Sequence, residues 1–203
     1  PSMFLAGRKA NALGHIVLLD PVGAGASRLR TDTANRLMQE VRFDAVRGNI
    51  SEIKTLCTGS GSTKGVDADA VDAVTEANLD DGVQLVKTFA QRAGCIVAVT
   101  GAIDLVSDGE RCWCIRNGRA EMSRITGTGC QLSALMTAFL VANPDHKLAA
   151  AAAAVCMMGL AGEIGWANMQ PGDGNSTYRN RIIDAIFNMT GDALEEGAKY
   201  ELR

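Results

Sequence analysis

A chain of 203 residues with 47% apolar composition can bury one substantial core. Its 20 basic and 23 acidic side chains leave a net charge of −3 with no basic stripe, which argues against nucleic acid or a membrane surface as partner. No run reads as a signal peptide or a membrane span, and the 6 cysteines lack disulfide-scaffold spacing, so the expectation is reduced thiols in the cytoplasm.

The chain opens on Pro1 rather than Met, inside a helical pattern, which suggests a fragment or a processed product. Met3 to Leu13 reads as a helix stopped by Gly14. His15 to Asp20 is a continuous apolar run of the kind found in buried parallel strands. His15 stands at its start as a surface residue. Asp20 stands at its carboxyl end, either as a turn residue or where parallel sheets bind ligands. Gly23 and Gly25 do not complete a dinucleotide fingerprint, because position 28 is Arg. Thr31 to Val41 reads as a helix capped by Thr31 or Asp32, and Phe43 to Val46 as a short strand. Arg47 to Glu52 leads into the next helix. Its Arg, Asn and Glu suit phosphate and a hydrated cation, or equally a capping box between Asn49 and Glu52. Gly59 to Gly65 fails the P-loop spacing and reads as a mobile loop. Asp80 to Ala93 is a helix with Val83, Val86, Phe89 and Ala90 on one face, ended by Gly94. Cys95 to Thr100 is a second buried strand whose exit residue falls on the same sheet edge as Asp20 and Arg47.

Leu105 to Ile115 reads as a hairpin about Asp108-Gly109, with Cys112 and Cys114 on one strand face and in the core rather than on a metal. The stretch Arg124-Ile-Thr-Gly-Thr-Gly-Cys-Gln-Leu-Ser-Ala134 places a small-residue turn before an apolar helix, Leu132 to Val141. Unpartnered amides and the helix dipole make such a turn an anion site. A thiol at Cys130 would be favoured there as thiolate, though a plain helix start with a buried Cys is the alternative. Leu148 to Asn168 is rich in Ala and Gly, for close helix packing or a subunit face, with Met157 and Met158 in the core. A loop, Gln170 to Asn175, precedes a helix capped by Asn175 or Ser176 and ending at Asn188. A last helix covers Gly191 to Ala198. Strands alternating with helices argue for an α/β class with a parallel sheet in a single domain.

Three motifs, Leu19-Asp-Pro-Val-Gly-Ala-Gly25, Arg47-Gly-Asn-Ile-Ser-Glu-Ile53 and Thr126-Gly-Thr-Gly-Cys130, together resemble the signatures of the hydroxyethylthiazole kinases of thiamine salvage. The resemblance covers this whole chain, while the family carries a further N-terminal segment that holds the thiazole ring. It implies a ribokinase-like fold with a mostly parallel sheet flanked by helices on both faces. It also implies phosphorylation of the primary alcohol of 5-(2-hydroxyethyl)-4-methylthiazole by ATP with Mg2+. By resemblance, Arg47 binds ATP phosphate and Thr100 contacts the nucleotide. Asp20 and Glu52 hold magnesium, directly or through water. Gly127 borders the thiazole alcohol, the amides of Gly127, Thr128, Gly129 and Cys130 form an anion hole, and Cys130 stands where related kinases place a catalytic Asp. The family members it resembles are homotrimers. Two alternatives stand beside this reading: a truncated domain that binds nucleotide without turnover, and a Cys130 hydrolase, which would need His15 or His146 in reach.

Overall fold

The computed structural model of the chain describes residues 1–58 and 73–203, so the Gly59 to Gly65 loop lies outside the described residues. These residues form two compact units, Pro1–Cys112 with Arg203, and Trp113–Leu202.

In the first unit, helix α1 (Ser2–Ala12) ends as predicted, with Gly14 at φ +69° and the His15 N–H returning to the Ala10 carbonyl at 2.9 Å. The expected six-residue strand contracts to β1 (Leu18–Leu19). Asp44 causes part of the shortening: its Oδ2 accepts the Val17 N–H at 2.9 Å, in the place a ladder carbonyl would take. Only Leu19 of the run is fully buried, because β1 pairs with one neighbour, β2 (Ala45–Asn49). Helix α2 (Arg28–Glu40) starts about a turn earlier than expected. Ser27 caps it by accepting the Arg30 N–H, so Thr31 and Asp32 lie inside the helix.

Strand β2 runs further than the expected Phe43 to Val46. Arg47 is therefore a strand residue rather than part of an exit loop. Helix α3 (Ile50–Thr58) follows at once, then α4 (Leu79–Ala93), which Gly94 closes in the left-handed region at φ 64°. Strand β3 (Ile96–Thr100) pairs parallel to β2, and β4 (Asp104–Ser107) pairs antiparallel to β3. The sheet is thus mixed rather than mostly parallel. Ala45, Val46, Val97, Ala98, Val99, Leu105 and Val106 are fully buried at its centre. The predicted turn after β4 is present: Asp108 Oδ1 accepts the Glu110 and Arg111 N–H groups, and Gly109 takes φ +100°.

In the second unit, Trp113–Ile115 of strand β5 (Cys112–Ile115) pair antiparallel with β6 (Tyr200–Leu202), a strand the sequence pattern did not show. Cys112 and Cys114 are both fully buried, as expected of one inward face. Helix α5 (Thr128–Ala142) starts four residues earlier than predicted. Helix α6 (Lys147–Ala167) packs against α5, α7 (Asn175–Asn188) and α8 (Gly191–Gly197). It is long and apolar enough to cross a membrane, yet thirteen of its residues, Met158 among them, are buried as the core of this unit. Its glycines permit close approach: a Cβ on Gly159 would sit 2.7 Å from the Asn117 backbone. No side chain caps α7. Gly174 holds that position, and Asn175 instead donates to the Arg124 carbonyl at 3.3 Å.

Candidate active site

In the first unit, Asp20, Arg47, Glu52 and Thr100 converge at the carboxyl end of the parallel strands. Arg47 is the centre. Its Nη1 donates to Asp20 Oδ2 at 3.3 Å and its Nη2 to Thr100 Oγ1 at 2.9 Å. The Arg47 side chain is 13% exposed and that of Asp20 18%, so the pair is largely withdrawn from water. Arg47 Nε is buried without a hydrogen-bond partner. The two Nη hydrogen bonds fix the plane of the guanidinium at this strand edge.

Glu52 sits in the first turn of α3, where the helix dipole favours a carboxylate. The capping box that the sequence allows between Asn49 and Glu52 is present. Glu52 Oε2 accepts the Asn49 N–H at 2.9 Å while Asn49 Oδ1 accepts the Glu52 N–H at 2.8 Å, a complete capping box. Oε1 accepts the Gly23 N–H at 2.8 Å, which ties the glycine loop after β1 to the start of α3. Burial pushes the Glu52 carboxyl above its ordinary range. The Gly23 and Asn49 amides oppose that shift, and the neighbouring Asp20 charge adds to it. Both Glu52 oxygens are thus engaged by amides, and among the described residues no group of three or more His, Cys, Asp or Glu forms a metal cage. The donors fit a largely hydrated Mg2+ held by one or two carboxylates and by phosphate, rather than a closed protein site.

Gly127, Thr128, Gly129 and Cys130 belong to the second unit. Gly127 is the N-cap of α5 at φ 96°, and no side chain caps the helix. Thr128, Gly129 and Cys130 form the first helical turn, so their amides have no intrahelical acceptor. Cys130 is exposed. His146 lies beyond the far end of α5, a 15-residue helix of ~22 Å at 1.5 Å per residue. The hydrolase alternative therefore has no Cys–His pair in this unit. Asp104, at the start of β4, is a residue the sequence reading passed over. Its Oδ1 accepts the Gly101 N–H at 2.8 Å.

The model of the hydroxyethylthiazole kinase family matches residues 1–192. A hydroxyethylthiazole kinase of Clostridium acetobutylicum is 50% identical over 200 residues, covering 98% of this chain and 73% of that protein. One from Clostridium beijerinckii is 43% identical over 201 residues, covering 98% and 71%. The solved hydroxyethylthiazole kinase of Pyrococcus horikoshii OT3 superposes with a TM-score of 0.84 at 29% identity, covering 100% of this chain and 71% of that one. A pyridoxal kinase of Staphylococcus aureus in complex with AMP-PCP shares the fold, at TM-score 0.57 and 16% identity over 97% of this chain and 67% of that one. The fold is thus α/β and ribokinase-like, and the chain belongs to the hydroxyethylthiazole kinase family.

Proposed function

We propose that this chain transfers the γ-phosphoryl group of ATP to the primary alcohol of 5-(2-hydroxyethyl)-4-methylthiazole, a step of thiamine salvage. The observation that carries the reading is Arg47, held between Asp20 and Thr100 at the carboxyl end of the parallel strands. The alcohol oxygen bonds to the γ-phosphorus as the bond to the β–γ bridging oxygen breaks, ADP leaves with that electron pair, and the alcohol proton is lost. Phosphoryl transfer of this kind is mainly positioning and charge neutralisation. Arg47 offers a planar, permanently charged fork to the nucleotide phosphates, and Thr100 fixes that fork. Mg2+, when bound, supplies charge neutralisation on the phosphates; Asp20 and Glu52 are its candidate holders. The Thr128, Gly129 and Cys130 amides after Gly127 offer an anion hole for the transferred group, with Gly127 bordering the alcohol. Cys130 accepts the alcohol proton late in the transfer, a secondary contribution. The same reading gives a homotrimer in the cytoplasm, and equilibrium sedimentation tests the trimer.

The deciding experiment is ADP release from MgATP with and without the thiazole alcohol. Alcohol-dependent release is expected. Nucleotide binding with no dependence on the alcohol would move the assignment to the noncatalytic alternative.

A further inference from the structure

Four neighbouring strands or strand ends of the first unit each bring one polar side chain to the same edge. Leu19 pairs with Val46, so Asp20 follows beside Arg47. Arg47 pairs with Ala98, and Thr100 lies two residues beyond on the same face. Val99 pairs with Leu105, so Asp104 stands opposite Thr100 where β3 turns into β4, and opposed side chains leave an antiparallel pair on one side. The row runs Asp20, Arg47, Thr100, Asp104. Arg47 ties the first three together through side-chain hydrogen bonds. The fourth is tied through the backbone: Asp104 accepts the N–H of Gly101, the residue directly after Thr100.

Asp104 is half-buried, and burial pushes its carboxyl up to about 7, against the pull of the Gly101 amide and the Arg47 charge. Near neutrality its charge is therefore partly quenched by a proton. What it supplies steadily is an acceptor oxygen at a fixed place.

We propose that Asp104 is a positioning residue for nucleotide binding: by holding the Gly101 amide it fixes Thr100, and through Thr100 it sets the Arg47 guanidinium to receive an ATP phosphate. The inference rests on the kinase reading above. It is tested by the affinity for ADP with Mg2+, measured by calorimetry, together with KM for ATP, kcat and the thermal midpoint. Asp104→Ala is expected to weaken ADP about tenfold and to raise KM for ATP by a similar factor, with kcat within about twofold, as one hydrogen bond's loss implies. Asp104→Asn keeps an acceptor oxygen in the same place and is expected to restore both values. A folded Asp104→Ala chain with unchanged ADP affinity overturns the proposal. So does an Asp104→Asn chain as weak as the alanine variant, because the charge would then be the needed property. Should Asp104→Ala fail to fold, Asp104→Glu moves the oxygen by a methylene and carries the same expected weakening, with unchanged affinity again overturning the proposal. An unaltered chain that binds no ADP overturns the kinase reading and this inference together, whereas normal ADP binding by every variant removes this inference alone.

Discussion

Arg47 and Cys130 occupy unequal places in the chemistry, and substitution should separate them. Removing Arg47 takes a desolvated, doubly hydrogen-bonded charge from the phosphates and leaves Asp20 without that counterion. Arg47→Ala is expected to lower kcat/KM by about 10³-fold or more, the scale of losing a transition-state charge contact. Cys130→Ala is expected to keep detectable turnover, with a loss of about 10²-fold at most, the lower range for a general base. A Cys130→Ala chain that folds and has no turnover would make the thiol essential. Asp104 carries a prediction about pH. Its folded carboxyl lies near 7, above the ordinary 3.8, so the folded chain binds this proton more tightly than the unfolded chain does. The stability from that proton is fully present below pH 4 and is lost as pH rises towards 7. Asp104→Asn removes the dependence, so its thermal midpoint should rise relative to the unaltered chain between pH 5 and pH 8. No relative rise would sink the assignment of the shifted group. Arg47, Thr100 and Asp20 were legible in the sequence because motif spacing and strand exits point to them. Asp104 was not, because its role depends on a register that appears only once β3 and β4 are paired.

Elements set how those side chains can be aimed. The first turn of α3 is built around Glu52, whose two oxygens each take a backbone N–H from a different segment. An amide at this position can accept with one end only, so Glu52→Gln leaves one buried amide facing a donor. The expected effect is a loss of about 1–3 kcal/mol in a denaturant titration, the usual penalty for a buried polar group without its partner. A midpoint unchanged in Glu52→Gln would show that the capping box contributes little. Element boundaries were the least legible part of the sequence. The turn at Gly127 was readable as a phosphate-type loop, but the helix it opens begins at Thr128, because glycine at φ 96° is itself the cap. Strand β1 is shorter than its apolar run, because such a run does not reveal that an aspartate side chain will replace a ladder carbonyl. Strand β6 is three residues of alternating exposure, too short to give a periodic signal.

Across the whole molecule, protection from solvent should follow burial rather than apolar composition. Hydrogen exchange is expected to be slowest at Val97, Ala98, Val99 and Val106 in the first unit and around Ala151, Ala154 and Ala161 of α6 in the second, where exposure is zero. Exchange at these amides as fast as in the exposed helix α8 would contradict the packing described. The class of fold was readable from alternation alone, since buried β3 and the amphipathic α4 announce themselves by composition and period. Sheet direction was not, because the antiparallel return of β4 follows from a turn of only three residues after Thr100.

The double engagement of Glu52 reaches beyond stability. One carboxylate joins a loop at Gly23 to a helix start at Asn49, 26 residues further along the chain. The first two motifs are therefore mechanically one unit, and neither keeps its geometry when moved elsewhere by itself. Anyone moving this strand edge onto another scaffold would have to carry both segments and the acid that fastens them.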